Sequence, residues 1–208
     1  MAGRRPLKRT SPLCLDLKDL PAPLDLSGLF GSGGNVALEI GCGKGHFLRD
    51  WAIQNPGRWH LGLELREERA QRSALKCSDA AITNVRVLCG SMEDFFDKLA
   101  PHFLLEAVHV NFPDPWPKKR HARRRLMTAD RVSLYARHLR VGGDLVFVTD
   151  SPDYALWTRD ILLAEPILRD VFGGIRHRWP CYPVSIHQEK FLAQGRSMHY
   201  QKFTKVKS

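Results

Sequence analysis

Short apolar runs alternate along the chain with longer stretches in which apolar residues recur every three or four positions. VALEI (36–40) reads as a buried strand and ends in the glycine-rich GCGKG (41–45). HFLRDWAIQN (46–55) follows as a helix, with Phe47, Leu48, Trp51 and Ala52 at helical spacing and Pro56 as its stop. WHLGLEL (59–65) predicts a second strand and EERAQRSALKCSDA (67–80) a second, charged helix. VRVLC (85–89) predicts a third strand, SMEDFFDKL (91–99) a short helix, and EAVHVNF (106–112) a fourth strand. TADRVSLYARHL (128–139) predicts a helix capped by Thr128 and ended by Gly142-Gly143, before a fifth strand in DLVFVTD (144–150). SPDYALWTRDILLAE (151–165) opens with Ser151 at the cap and Pro152 at the first helical position. Residues 175–179 and 197–203 read as a closing antiparallel pair joined by a long polar loop.

Strands alternating with helices of this length imply βαβ units and a mostly parallel sheet, hence an α/β fold. Residues 1–34, with four prolines and a Gly31/Gly33/Gly34 cluster, read as a basic N-terminal arm or loop with room for a short turn or strand. Residues 35–208 read as one domain, and the 208-residue length suits a single core. No run reaches about 18 apolar residues, and the N-terminus lacks the apolar stretch of a signal peptide. A cytoplasmic protein with no membrane contact is expected. The five cysteines (Cys14, Cys42, Cys77, Cys89, Cys181) contain no C-x-x-C pair, so reduced thiols and no metal site are expected.

Charge changes the picture. The net charge is +10, and it is local: residues 118–125 (KKRHARRR) carry six Lys/Arg and no acid, and residues 1–10 carry four. The rest of the chain is neutral. Two cationic segments on a neutral body point to a polyanion such as nucleic acid.

In a parallel sheet, ligands sit beyond the carboxyl ends of the strands. The residues that follow each strand here are GCGKG, Glu64, Gly90-Ser91, NFPDPW and Asp150. Gly41, Gly43 and Gly45 allow a tight turn and close approach of a ligand to the backbone. Glu64, 19 residues past Gly45, stands where a carboxylate accepts hydrogen bonds from ribose hydroxyls. A dinucleotide fingerprint needs a small residue at 46, and the chain has His46. Glu39, two residues before the first glycine, would repel a pyrophosphate and suits a cation. S-adenosylmethionine carries a sulfonium and an ammonium and no phosphate, so charge favours it over NAD.

At the other end, Pro113, Pro115 and Pro117 stiffen the loop that holds Asp114, and Trp116 offers a flat face for a base or for packing beneath the loop. The cations from Lys118 through Arg123 to Arg125 suit phosphates, with Arg176 and Arg178 as helpers. A rigid acid, an aromatic and a cationic run at the mouth of a nucleotide site fit an enzyme that modifies nucleic acid.

LEIGCGKGHF, GLEL, NFPDPWPKKRHARRRL and VTD resemble the bacterial tRNA (guanine-N7-)-methyltransferase family from about residue 36 to 203, with NFPDPWPKKRH the most specific motif. The resemblance implies a Rossmann-like class I methyltransferase fold: a mostly parallel, seven-stranded sheet flanked by helices, with an antiparallel C-terminal strand. It also implies S-adenosylmethionine as donor, no metal, and a guanosine of the tRNA variable loop as acceptor. Glu39, Glu64, Ser91 and the glycine loop resemble cofactor contacts. Asp114 matches the active-site acid, and Lys118, Asp150, Ser185 and Gln188 match substrate contacts. The chain departs from the family pattern at Ser91 and Gln188, where acidic residues are usual; Glu93 or Asp94, and Glu189, stand nearby.

Guanine N7 presents a free lone pair, so no strong general base is required. Asp114 would accept from N1–H and the N2 amine, or contact the cofactor instead. Three other readings are an NAD-dependent oxidoreductase, a non-catalytic RNA-binding protein and a methyltransferase acting on another RNA atom. Those acting on exocyclic amines carry tandem prolines, whereas Asp114 separates Pro113 from Pro115. A monomer or homodimer with no obligate protein partner is expected.

Overall fold

The computed structural model describes residues 9–31, 34–183 and 192–207, apart from the side chain of Lys119. Eight strands form one sheet: β1 Cys14–Asp16, β2 Val36–Ile40, β3 Trp59–Glu64, β4 Val85–Cys89, β5 Leu105–Asn111, β6 Leu139–Thr149, β7 Leu168–Asp170 and β8 His199–Lys205. The helices are α1 Leu26–Phe30, α2 His46–Gln54, α3 Glu67–Asp79, α4 Met92–Lys98, α5 Ala129–His138 and α6 Pro152–Ala164. The strand order is β1-β4-β3-β2-β5-β6-β8-β7. Strands β1 to β6 run parallel, and β8 pairs antiparallel with both β6 and β7.

Burial on both faces explains the near-continuous apolar runs. In β2, Val36, Leu38 and Ile40 join the main core with Phe95 and Phe96 of α4 and Tyr135 of α5. The other face carries α2 and α3, where Leu48, Ala52, Ala70, Ala74 and Cys77 pack on Val85 and Val87. Small alanines on α3 let it lie close to the sheet.

Three expectations shift. The sheet has eight strands rather than seven, because Cys14–Asp16 of the N-terminal segment pairs with β4. That segment also supplies a 3-10 turn at Leu17–Asp19, helix α1 and the buried residues Leu17, Leu24 and Leu26. Its proline-rich composition masks an apolar spacing set by tertiary contact. Second, Leu168–Asp170 supplies the strand beside β8, while Arg176 makes only an isolated bridge to Tyr200. Third, Gly142-Gly143 do not end α5: the chain turns directly from His138 into β6, and both glycines lie within that strand at a register shift against β5. A Cβ on Gly143 would meet the carbonyl oxygens of Arg140 and Glu106 at 2.9 Å, which is the physical demand for glycine there. Thr128 holds the N-cap of α5 without a side-chain capping bond, whereas the Ser151 hydroxyl accepts from the Tyr154 N–H.

Candidate active site

The strand ends that face the candidate site are those of β2, β3, β4, β5 and β6. After β2, Gly41, Gly43 and Gly45 adopt φ of 76°, 58° and 72°. Glycine meets that demand without steric cost. At Gly45 the packing adds a second reason: a Cβ would lie 2.8 Å from the Ser73 Cα on α3. Glu64 closes the loop from β3. Its Oε2 accepts from the Gly43 N–H at 3.0 Å and its Oε1 from the Arg66 N–H at 2.9 Å.

Glu39 points to the α2 side of the sheet and is buried. Its Oε1 accepts from the Asn111 side-chain amide at 3.0 Å, and its Oε2 has no partner among the described residues. Burial pushes its carboxyl up to about 8. Asn111 is held in turn: its Oδ1 accepts from the Tyr182 hydroxyl at 2.7 Å, and that hydroxyl lies 3.0 Å from His109 Nδ1. Since the hydroxyl proton goes to Asn111, His109 donates from Nδ1. Burial holds that imidazole neutral, down at about 3. An orphaned, buried carboxylate oxygen at a glycine loop is a seat for a positive group, and it fits the ammonium and sulfonium of S-adenosylmethionine.

One cleft of about 380 Å³ is lined by Gly41, Glu64, Gly90, Ser91, Asn111, Phe112 and Asp114. The two ends expected from the sequence therefore meet in one cavity. The Ser91 hydroxyl accepts from the Asp94 N–H at 3.0 Å and donates to the Asp94 carboxylate at 2.7 Å, capping α4 at the cleft edge. A larger cleft of about 830 Å³ reaches Glu39, Gly41 and Gly43 from the α2–α3 side.

The loop that carries Asp114 is stiff for reasons beyond its prolines. Phe112 and Trp116, at either end of Pro113-Asp114-Pro115, have φ of 49° and 42°. Non-glycine residues enter this region at a cost of roughly 1–2 kcal/mol each. Arg125 holds the loop in place. Its guanidinium donates to the Pro115 and Trp116 carbonyls at 2.8 and 3.2 Å and stacks 4.4 Å from the Trp157 ring centre. Arg131 binds the Arg125 carbonyl at 2.6 Å and pairs with Glu93 at 2.6 Å. Asp114 is exposed at the tip.

The cationic run is thus not a uniform phosphate surface. Arg125 is spent inside, and Arg124 lies 5.0 Å over the Trp116 ring. Lys118, Arg120 and Arg123 remain exposed, Lys118 at the N-cap of a 3-10 turn spanning Lys119–Arg124 and the two arginines on it. Asp150 accepts from Arg196 at 2.7 Å and, like Lys118 and Arg123, lines neither cleft. Arg176 and Arg178 are exposed, with the Arg176 guanidinium 4.3 Å over the Phe172 ring. Ser185, Gln188 and Glu189 lie outside the described residues.

Sequence reasoning does not reach Asn111, Tyr182 or Arg131 as site residues, and it counts Arg125 among the phosphate-facing cations, where the structure turns it onto the loop carbonyls and Trp157. Only Asn111 carried a signal, as the last residue of a strand that runs into the NFPDPW motif.

Comparison with known proteins places the chain. Residues 34–196 match the sequence model of a family described as "Putative methyltransferase". The tRNA (guanine-N(7)-)-methyltransferase of Geobacter metallireducens is 32% identical, over 98% of this chain and 97% of that protein. The protein of the same name from Bordetella pertussis is 38% identical, over 84% of this chain and 67% of its own. Among solved structures, the 16S rRNA methyltransferase KamB superposes with a TM-score of 0.64 at 16% identity, over 88% of this chain and 93% of that one. A Streptococcus mutans protein described as "a putative methyltransferase", solved in complex with SAH, superposes with a TM-score of 0.54 at 11% identity, over 83% and 89% of the two chains. These likenesses confirm the Rossmann-like methyltransferase fold.

Proposed function

The chain belongs to the tRNA (guanine-N7-)-methyltransferase family, and from that premise we propose that it methylates N7 of a variable-loop guanosine in tRNA. Support comes above all from the single cleft that carries Glu64 and Ser91 at one wall and Asp114 at the other.

S-adenosylmethionine, when bound, supplies a methyl group on a positively charged sulfur, which passes to the N7 lone pair without prior loss of a proton. The chain's own residues do the rest. Glu39 offers its unpartnered Oε2 to the cofactor's positive end, and Asn111 fixes the other oxygen. Glu64, braced by two backbone N–H groups, faces the ribose. Ser91 stands at the adenine side, with its hydroxyl already shared with Asp94. Asp114 accepts from the guanine N1–H and N2 amine, which aligns N7 and offsets the charge that methylation places on the purine. Lys118 and Arg123 meet phosphates of the RNA, with Asp150, Ser185 and Gln188 as further acceptor-side contacts. The enzyme works in the cytoplasm, as a monomer or homodimer without an obligate protein partner. No described helix is long and apolar enough to cross a membrane.

The test is incubation with S-adenosylmethionine and unmodified tRNA, followed by reductive aniline cleavage, which cuts only at N7-methylated guanine. A cut in the variable loop that disappears with Asp114→Ala is the expected outcome. Methyl incorporation without a cut would assign another atom.

A further inference from the structure

The sequence reads as a neutral body with two basic segments, but the fold gathers a third group of cations that the chain scatters over more than 30 residues. Lys44 of the glycine loop, Arg49 of α2, Arg66 at the start of α3, and Arg69, Arg72 and Lys76 along α3 wall the larger cleft and the recess beside it. Three acids also line these walls: Glu68 and Asp79 are already paired, with Arg72 at 2.6 Å and with Arg9 at 2.7 Å, and Glu39 is buried at the sheet, with one oxygen held by Asn111. Arg49 is paired with Asp50. Lys44, Arg66, Arg69 and Lys76 form no ion pair among the described residues. The crowding is felt at His46, whose imidazole is pushed down by burial and by Lys76, Arg49 and Lys44 together. This cleft runs into the one that holds Asp114: both are lined by Gly41, Arg69, Asn111 and Phe112. Unpaired ammonium and guanidinium groups along a concave wall suit a string of phosphates, and guanidinium forks grip them in pairs.

We propose that the α2–α3 cleft is a second RNA-backbone site, which takes the phosphodiester strand flanking the methylated nucleotide on the side of the glycine loop away from Lys118 and Arg123. The proposal rests on the methyltransferase reading above and adds where the substrate runs. The variant that tests it is Arg66→Gln/Lys76→Gln, since neither side chain lines the Asp114 cleft. Its control is Arg137→Gln/Arg169→Gln, which removes the same charge from two exposed arginines that line neither cleft.

The readouts are KM and kcat on unmodified tRNA, cofactor affinity by calorimetry, and the slope of log K against log salt for RNA retained on filters. The double variant is expected to raise KM about tenfold and to lower the salt slope by about two units. Its kcat at saturating tRNA and its cofactor affinity stay at the wild-type values. An unchanged KM and slope overturn the proposal, as does an equal effect in the control, which would mean bulk charge alone. Lost cofactor affinity with intact RNA binding overturns it too, by giving the cleft to the cofactor. If the wild-type protein methylates no tRNA, the functional reading fails, and the filter-binding slopes still decide the cleft.

Discussion

The proposed cofactor end and the proposed acceptor end of the site are rigid in opposite ways. The cofactor end is made by neighbours in sequence: a strand, three glycines at positive φ, and a glutamate at the tip of the next strand. Its side chains are buried, and Glu39 keeps one oxygen unmatched at the sheet surface. The acceptor end is an exposed loop held in an unfavourable backbone conformation by Arg125, Arg131, Trp157 and Glu93, which come from four places along the chain. Local geometry suffices where the ligand is small and met by backbone. Where a large substrate must be met from outside, the loop borrows its stiffness from afar.

The comparison breaks first at Asp114. Asp114→Ala is expected to lower kcat by about 10²–10³, with cofactor affinity held within about threefold. A matching loss of cofactor affinity, measured by calorimetry, would move Asp114 to the cofactor end and erase the division.

Glu39→Gln should act on the cofactor end alone, weakening S-adenosylmethionine by about 30- to 100-fold. It should also stabilise the protein. Glu39 is an acid whose carboxyl is raised from 4.5 to about 8, so the folded state holds a proton that the unfolded chain gives up. Stability is full below the unfolded value and is lost as pH rises toward 8. Glutamine removes that loss, worth roughly 3 kcal/mol near pH 7, and thermal melts from pH 5 to 8 should show the gap widening. The same linkage makes cofactor affinity rise with pH, by up to about tenfold per unit below 8, because a bound cation favours the ionised carboxylate. Calorimetry in buffers of different ionisation enthalpy would register the released proton. A flat profile would mean that Glu39 does not face the cation.

Arg125→Ala should damage the acceptor end from a distance. Two hydrogen bonds to loop carbonyls and the stacking on Trp157 are lost, so kcat/KM for tRNA should fall about tenfold and stability by about 2 kcal/mol. Cofactor affinity should not move. Ser91→Ala is the mildest case. It removes the cap of α4, costs about 1 kcal/mol in a melting experiment, and shifts cofactor affinity by less than about threefold. A larger shift would show that the hydroxyl serves the adenine rather than the helix.

The same division explains what could be read from the chain. VALEI, GCGKG and Glu64 announce the strand–loop–strand unit because their spacing is their geometry. NFPDPW announces a stiff acid for the same reason. Nothing in the spacing says that Arg125 turns inward while Arg123 stays exposed, since both sit in one basic run and are distinguished by the folded loop's carbonyls and the distant Trp157 ring. Tyr182 is likewise 71 residues from the Asn111 it orients. The strand at Cys14–Asp16 is hidden by its prolines and glycines, because its apolar residues are arranged to meet β4 and α4 rather than to repeat.

The placement of β8 between β6 and β7 has a consequence for the order in which the molecule comes into being. During synthesis, β6 emerges about fifty residues before its antiparallel neighbour, and among the described residues β7 pairs with no strand but β8. Until His199–Lys205 leaves the ribosome, the nascent chain carries an open edge along Asp144–Thr149, where Leu145 to Val148 await cover. Such an edge invites pairing with a second unfinished chain. Products truncated or stalled before His199 should therefore aggregate more readily than the full chain.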